Sequence, residues 1–218
     1  MGQKILKDWQ EQAIKFLASE SDFKQFYLTG GTALTVFYLK HRISDDLDFF
    51  SYGDVDAIFI HKLADKLRKS LGAKEMKFSK VHDRSQFFYL LGKNDEVKVE
   101  FTHYPFKQLE ATKSFLGIAI DSEYDIAVNK LATILDRFDP KDFIDLYFLL
   151  DKYALTKLTL SVQKKFGIKV EPLFLGGELA KVRRIKGLPK MLKPITLEKL
   201  KKRFEDEAKK LAPQILTK

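Results

Sequence analysis

Apolar positions along the chain change their period near residue 120, and that change divides the protein in two. In the first part, Ile5, Trp9, Ala13, Ile14 and Leu17 recur at helical spacing and predict a helix over residues 3–19. Tyr27 and Leu28 then form a short strand that runs into Gly30-Gly31, after which Leu34, Phe37 and Tyr38 return to helical spacing over residues 32–40. The stretch Asp46-Leu47-Asp48-Phe49-Phe50 alternates polar and apolar and reads as a second strand. Asp54 is placed to cap a helix over residues 55–70, with Ile58, Leu63, Leu67 and Leu71 as its buried stripe and Gly72 as its stop. Three strands follow, over residues 76–82, 85–91 and 97–104, and a shorter one over 116–120.

Beyond residue 120 the pattern is helical throughout. Ser122 and Asp125 have capping-box spacing, and Ala127, Val128, Leu131, Ile134 and Leu135 continue the stripe up to Arg137. Asp139-Pro140 supplies a cap and a first-turn proline for a helix that buries Phe143, Leu146, Tyr147 and Leu150. Further helices are predicted over 156–166, 171–184 and 196–211, with Gly176-Gly177 interrupting the middle one and a basic, proline-broken loop over 186–194. The expected fold class is α+β: a sheet-rich core over residues 1–120, followed by an all-helical domain over 121–218.

The densest chemistry lies between Phe26 and Phe50. Residues two apart in a strand share a face, so Asp46 and Asp48 project together while Leu47 and Phe49 point into packing. Two carboxylates so placed suit a divalent cation such as Mg²⁺, which takes one or two protein oxygens and completes its shell with water and phosphate. The Gly30-Gly31 turn, opening a helix, offers backbone N–H groups to phosphates. Glu100 shares a strand face with Lys98 and Thr102. It is either an exposed edge-strand residue or a third carboxylate, acting as general base or completing the metal shell. Lys130 falls between Ile126, Ala127 and Ile134 on a helical wheel, so its ammonium either snorkels to water or reaches an anion such as a phosphate. Asp142 reads as structural, and Asp145 is a polar-face acid with Lys141 four residues before it.

Composition narrows the classes. The 218 residues are 45% hydrophobic and contain no cysteine, which excludes disulfides and Cys-based zinc sites. No signal-like or membrane-spanning apolar run occurs, so a cytoplasmic protein without membrane contact is expected. The four histidines lack metal-ligand spacing, and no P-loop, Rossmann fingerprint or nucleophile elbow is present. The net charge of +9 is localised: residues 181–218 hold 13 Lys and Arg against 4 Asp and Glu, and the rest of the chain is balanced. A basic region of this kind suits a polyanion such as RNA, or serves as a solvated helical face.

The ordered set GGTAL…HRISDDLDFF, Lys98-x-Glu100, Asn129-Lys130 and Asp145 within RFDPKDFIDLYFL resembles the four motifs of the AbiEii/AbiGii toxin family, a branch of the nucleotidyltransferases with the DNA polymerase β fold. The resemblance covers about residues 24–150. It implies Mg²⁺-dependent transfer of a nucleoside monophosphate from an NTP to an acceptor, RNA or tRNA in some relatives, by a toxin paired with a separate antitoxin. It further implies that Gly30, Gly31 and Thr32 hold the triphosphate, that Asp46 and Asp48 bind metal, that Glu100 is the third acid, and that Lys130 and Asp145 are a nucleotide-side pair. Arg42 and Ser44 fit the same pattern and either contact phosphate or brace the turn. Position 100 departs from the family's usual aspartate by one methylene. A small-molecule or protein acceptor, and an inactive nucleotide- or RNA-binding module, are the competing readings.

Overall fold

The computed structural model describes residues 5–93 and 95–216. Its elements are α1 (Asp8–Ser19), β1 (Phe26–Thr29), α2 (Gly30–Leu34), β2 (Leu47–Ser51), α3 (Ala57–Ser70), β3 (Glu75–Val81), β4 (Arg84–Leu90), β5 (Glu96–His103), β6 (Lys113–Phe115), β7 (Ile118–Ile120), α4 (Glu123–Asp136), α5 (Pro140–Leu149), α6 (Leu155–Phe166), α7 (Pro172–Ala180) and α8 (Leu197–Leu216). The chain forms two compact units, one of Met1–Tyr38 with Ser44–Ser122, the other of Leu39–Ile43 with Glu123–Lys218.

The first unit is built on a seven-stranded mixed sheet of order β3-β4-β5-β2-β1-β7-β6. β2 pairs in parallel with β5 and antiparallel with β1, and β1 in turn pairs in parallel with β7. Alternation makes one face apolar: Leu28, Leu47, Phe49, Phe87, Tyr89, Val99 and Phe101 are all buried. Phe23, from a 3-10 turn at Ser21–Gln25, meets Phe26 and Phe49 at ring separations of 5.3 and 5.0 Å. Each fully buried ring contributes roughly 1.5–3 kcal/mol of transfer free energy. α1 and α3 pack side by side, α1 touching β7 and α3 touching β3 and β4.

Several local expectations change. α1 begins at Asp8, not residue 3, and Gln10 takes a buried position where Trp9 was expected. α3 is capped by Asp56, whose carboxylate accepts from Ile58 N at 2.9 Å; Asp54 lies outside the helix. Moving the start by two residues leaves Ile58 in the open first turn, 65% exposed, and the buried stripe is Ile60, Leu63, Ala64 and Leu67. The apparent single strand near 116–120 is the second arm of a hairpin whose first arm is β6. The helix after Gly31 is regular only to Leu34 and continues as a π turn over Thr35–Leu39. Gly176-Gly177 lies inside α7 and does not break it; the predicted helix ends instead at Ala180, where a 3-10 turn over Lys181–Arg184 takes over.

The second unit holds α4 to α8. Asp139 caps α5 as its sequence predicts, accepting from Lys141 N at 2.8 Å with Pro140 in the first turn. The two units divide at Ser122–Glu123, close to the expected division at residue 120, and Leu39–Ile43 is grouped with the second. Lys40 turns the chain with φ 52°, and Arg42 then forms an isolated antiparallel bridge with Met191. Ile43 N donates to Lys190 O, and Leu192 N donates to His41 O. The loop that is basic and proline-broken in sequence is thereby tied, through its backbone, to a segment 150 positions earlier.

Candidate active site

The ten residues singled out by sequence fall into two groups, one in each unit. In the first unit the polar sheet face gathers the acids. Asp48 and Glu100 are register partners on the parallel pair β2 and β5, and Gln86 of β4 lies across Glu100 on its other side. Asp46 stands one position before Leu47, and Lys98 one position before Val99, the first pair of that register. The result is three carboxylates around one ammonium. Lys98 Nζ lies 3.4 Å from Asp46 Oδ2, 3.8 Å from Asp48 Oδ1 and 3.5 Å from Glu100 Oε2.

The turn after β1 fits closely against this group. Thr29 pairs with Asp48, so the next residue abuts the Asp48 side chain. Gly30 adopts φ +71°, and a Cβ there would stand 2.6 Å from Asp48 Oδ2. Both the left-handed backbone and the missing side chain are therefore required. Thr32 is buried, and its hydroxyl donates to the Asp46 carbonyl, which fixes the backbone from which that carboxylate projects. Gln10 Nε2 donates to the carbonyls of Ser44 and Asp45 at 3.2 and 3.3 Å, holding the approach to the acids from the other side. Gly31 opens α2 beside Gly30.

Glu100 is the buried member of the set, and its surroundings decide its charge. Burial alone would raise its pKa. Gln86 Nε2 donates to Oε2 at 2.8 Å, Thr102 Oγ1 donates to Oε1 at 3.0 Å, and the Lys98 and Arg84 cations are close, so the carboxyl is held below its ordinary value. The Gln86 and Thr102 hydrogen bonds also fix the direction of both Glu100 oxygens. Lys98 is similarly biased: burial opposes its charge, but Asp48, Asp46 and Glu100 outweigh it and raise its pKa.

The donor set suits a hard divalent cation, which prefers carboxylate oxygens and takes few of them from protein. Among the described residues no three His, Cys, Asp or Glu side chains form a ready-made metal cage. The acids instead share the Lys98 ammonium, which lies where their negative charge converges.

The second group is a buried ionic cluster in the second unit. Asp145, fully buried on α5, accepts from Arg42 Nε at 2.6 Å and Arg42 Nη2 at 2.8 Å, and pairs with Lys130 Nζ at 2.6 Å. His41 Nε2 lies 2.8 Å from Asp145 Oδ1. Lys130 also reaches Asp142 Oδ1 at 2.6 Å. Burial works against the Asp145 charge, but Lys130 and Arg42 hold its pKa well below the ordinary value. Lys130 is correspondingly raised against its own burial by Asp145 and Asp142. Burial lowers the His41 pKa despite the Asp145 hydrogen bond, which disfavours the imidazolium. Lys130 therefore does not snorkel; it reaches an anion, and that anion is protein. Arg42, 2% exposed, donates to both Asp145 oxygens and to the Ile43 carbonyl, so its guanidinium is engaged by protein acceptors.

The sequence pattern gives no role to Lys98, Gln86 or Gln10; it reads Asp142 as structural and His41, beside Arg42, as structural or a phosphate contact, and the structure gives His41 to Asp145. Lys98 was visible two residues before Glu100 on the same strand face. Gln86 was visible as the polar residue inside an apolar strand, but its target lies on another strand.

The seven-stranded mixed sheet with its flanking helices is consistent with a nucleotidyltransferase fold. The structure of JHP933 from Helicobacter pylori shares it at a TM-score of 0.61 and 18% identity, covering 97% of this chain and 92% of that one. A putative nucleotidyltransferase from H. pylori shares it at 0.62 and 17%, covering 100% and 98%. MenT4, a nucleotidyltransferase toxin from Mycobacterium tuberculosis, does so at 0.54 and 15%, covering 93% and 81%. The sequence profile of the nucleotidyl transferase AbiEii toxin family, type IV TA system, matches residues 15–215, and the chain belongs to that family. It is a nucleotidyltransferase. The uncharacterized protein aq_aa25 of Aquifex aeolicus is 35% identical over 167 residues, 74% of this chain and 76% of that protein.

Proposed function

We propose that this nucleotidyltransferase moves a nucleoside monophosphate from an NTP to RNA in the presence of Mg²⁺, as the toxin of a pair with a separate antitoxin. The observation that carries the reading is the convergence of Asp46, Asp48 and Glu100 on one cationic centre beside the Gly30 turn. A divalent cation held by Asp46 and Asp48, with Glu100 adjacent, would supply charge neutralisation at the reacting phosphate. The chain's own residues prepare that position. Thr32 and Gln10 fix the backbone on either side of Asp46. Gln86 and Thr102 orient Glu100 and keep it ionised. The Gly30-Gly31 turn lets backbone N–H groups approach the triphosphate without a side chain in the way. The family's description as a type IV TA toxin supports an antitoxin partner.

RNA is favoured as acceptor by the basic region. Arg184, Lys186, Lys190, Lys193, Lys199 and Lys202 are exposed, a distribution that attracts a polyanion. The test is incubation of wild type and the Asp46→Ala/Asp48→Ala variant with each labelled NTP, Mg²⁺ and total RNA. Label is expected to enter RNA, with the double variant slower by at least about 10²–10³-fold, the scale on which removal of transition-state charge stabilisation acts. Label transfer that survives the double substitution rejects the acid site. Label on protein or on a small molecule replaces the RNA reading.

A further inference from the structure

We propose that Lys98 is a built-in counter-ion that competes with divalent metal for Asp46, Asp48 and Glu100, so that metal enters together with nucleotide and not before it. The proposal rests on the metal-site reading above and extends it to a residue to which that reading gives no task.

The geometry makes the competition unavoidable. Like charges directly across a strand pair repel, and Asp48 and Glu100 are register partners, with Asp46 two positions from Asp48. Lys98 relieves this repulsion by standing 3.4–3.8 Å from an oxygen of each. A divalent cation bound by the same oxygens would occupy the space of the ammonium. The two cannot share it, both for lack of room and because they repel. Lysine suits a displaceable cation: it is a point charge on a four-carbon flexible stem, without the fixed fork by which arginine locks a carboxylate. Its side chain is 22% exposed, which leaves it a way out. Glu100 stays in place when Lys98 leaves, since Gln86 and Thr102 hold it independently.

The displaced ammonium needs an anion, and a nucleotide triphosphate brings one. Metal alone must push Lys98 out to solvent and forfeit its pairing with the three carboxylates, and so binds weakly. Metal with nucleotide restores the charge balance, since the phosphates meet both the metal and the freed Lys98. The coupling is reciprocal: the nucleotide tightens the metal by the same factor as the metal tightens the nucleotide. The acids are thereby kept from holding a metal ion that has no substrate.

The experiment measures Mn²⁺ binding by the loss of its free-ion paramagnetic resonance signal, for wild type, Lys98→Gln and Lys98→Arg, with and without a non-hydrolysable NTP analogue. Lys98→Gln is expected to bind Mn²⁺ alone at least tenfold more tightly than wild type. Lys98→Arg, which keeps the charge and holds the carboxylates in a fixed fork, binds Mn²⁺ alone no more tightly than wild type. The analogue should tighten Mn²⁺ binding strongly in wild type and much less in Lys98→Gln. Equal Mn²⁺ affinity of wild type and Lys98→Gln in the absence of analogue overturns the counter-ion role and leaves the metal site standing. Equal tightening by Lys98→Arg and Lys98→Gln also overturns it, since charge is then not the cause. Absence of Mn²⁺ binding in every protein, with or without analogue, rejects the metal site itself. Should Lys98→Gln not fold, wild type alone decides: Mn²⁺ affinity without the analogue equal to that with it refutes the proposal.

Discussion

Replacing Asp145 with asparagine removes one negative charge from the centre of the second unit and leaves the side-chain volume unchanged. The consequence is worked out partner by partner. Lys130 keeps Asp142, at 2.6 Å. Arg42 does not fare as well: both of its carboxylate contacts, at 2.6 and 2.8 Å, go to Asp145, and it is 2% exposed. The asparagine amide would also direct N–H donors at a shell made of donors. Breaking a buried ion pair on one side costs about 3–5 kcal/mol, because the remaining charge is neither solvated nor paired. Urea unfolding followed by far-UV circular dichroism measures the global loss, and hydrogen exchange at the α4 and α5 amides measures the local one. With a slope of about 1–3 kcal/mol per molar urea, a loss of this size moves the midpoint by at least about 1 M. The pair Arg42→Met/Asp145→Leu, which removes both charges, is expected to recover most of the loss, since apolar replacement of a whole buried pair is often neutral. A loss below about 1 kcal/mol in Asp145→Asn, or a double variant worse than the single, refutes the reasoning.

Two further predictions follow from the same geometry. Gly30→Ala forces a side chain into a left-handed backbone, at about 1–2 kcal/mol, and into the Asp48 carboxylate. Nucleotidyl transfer should fall about 10²-fold, the scale of a 1 Å misplacement in a reacting centre, while the melting profile shows the variant still folded; a rate within threefold of wild type contradicts the assignment. His41 sets an acid limit on stability. Burial holds its pKa below the ordinary 6.5, so the unfolded chain binds a proton there that the folded chain refuses. Stability is full above pH 6.5 and falls as pH drops from it, by up to about 1.4 kcal/mol per pH unit. In His41→Gln the unfolding free energy between pH 6.5 and 5 should be flatter; an unchanged slope assigns the acid sensitivity elsewhere.

The sequence alone determined the order and type of most elements, though not all of their ends or the β6 strand, and the identity of most of the chemistry. Alternation placed Asp46, Asp48 and Glu100 off the apolar face, because a strand's period of two is a local property. The glycine at position 30 was legible as a turn, and Lys130 as a charge on a face that should meet protein. What the sequence could not supply was partnership, since a side chain's neighbours across a sheet or within a helical cluster are set by register and packing. The pairing of β2 with β5 in parallel brought Glu100 beside Asp48, and Lys98 into the middle of the three acids. The assignment of Leu39–Ile43 to the second unit gave Arg42 and His41 to Asp145, and so showed that the anion met by Lys130 is protein. Charge and periodicity could be read residue by residue. Which charges neutralise each other was decided only when the tertiary fold brought together residues that lie about 50 to 100 positions apart in the chain.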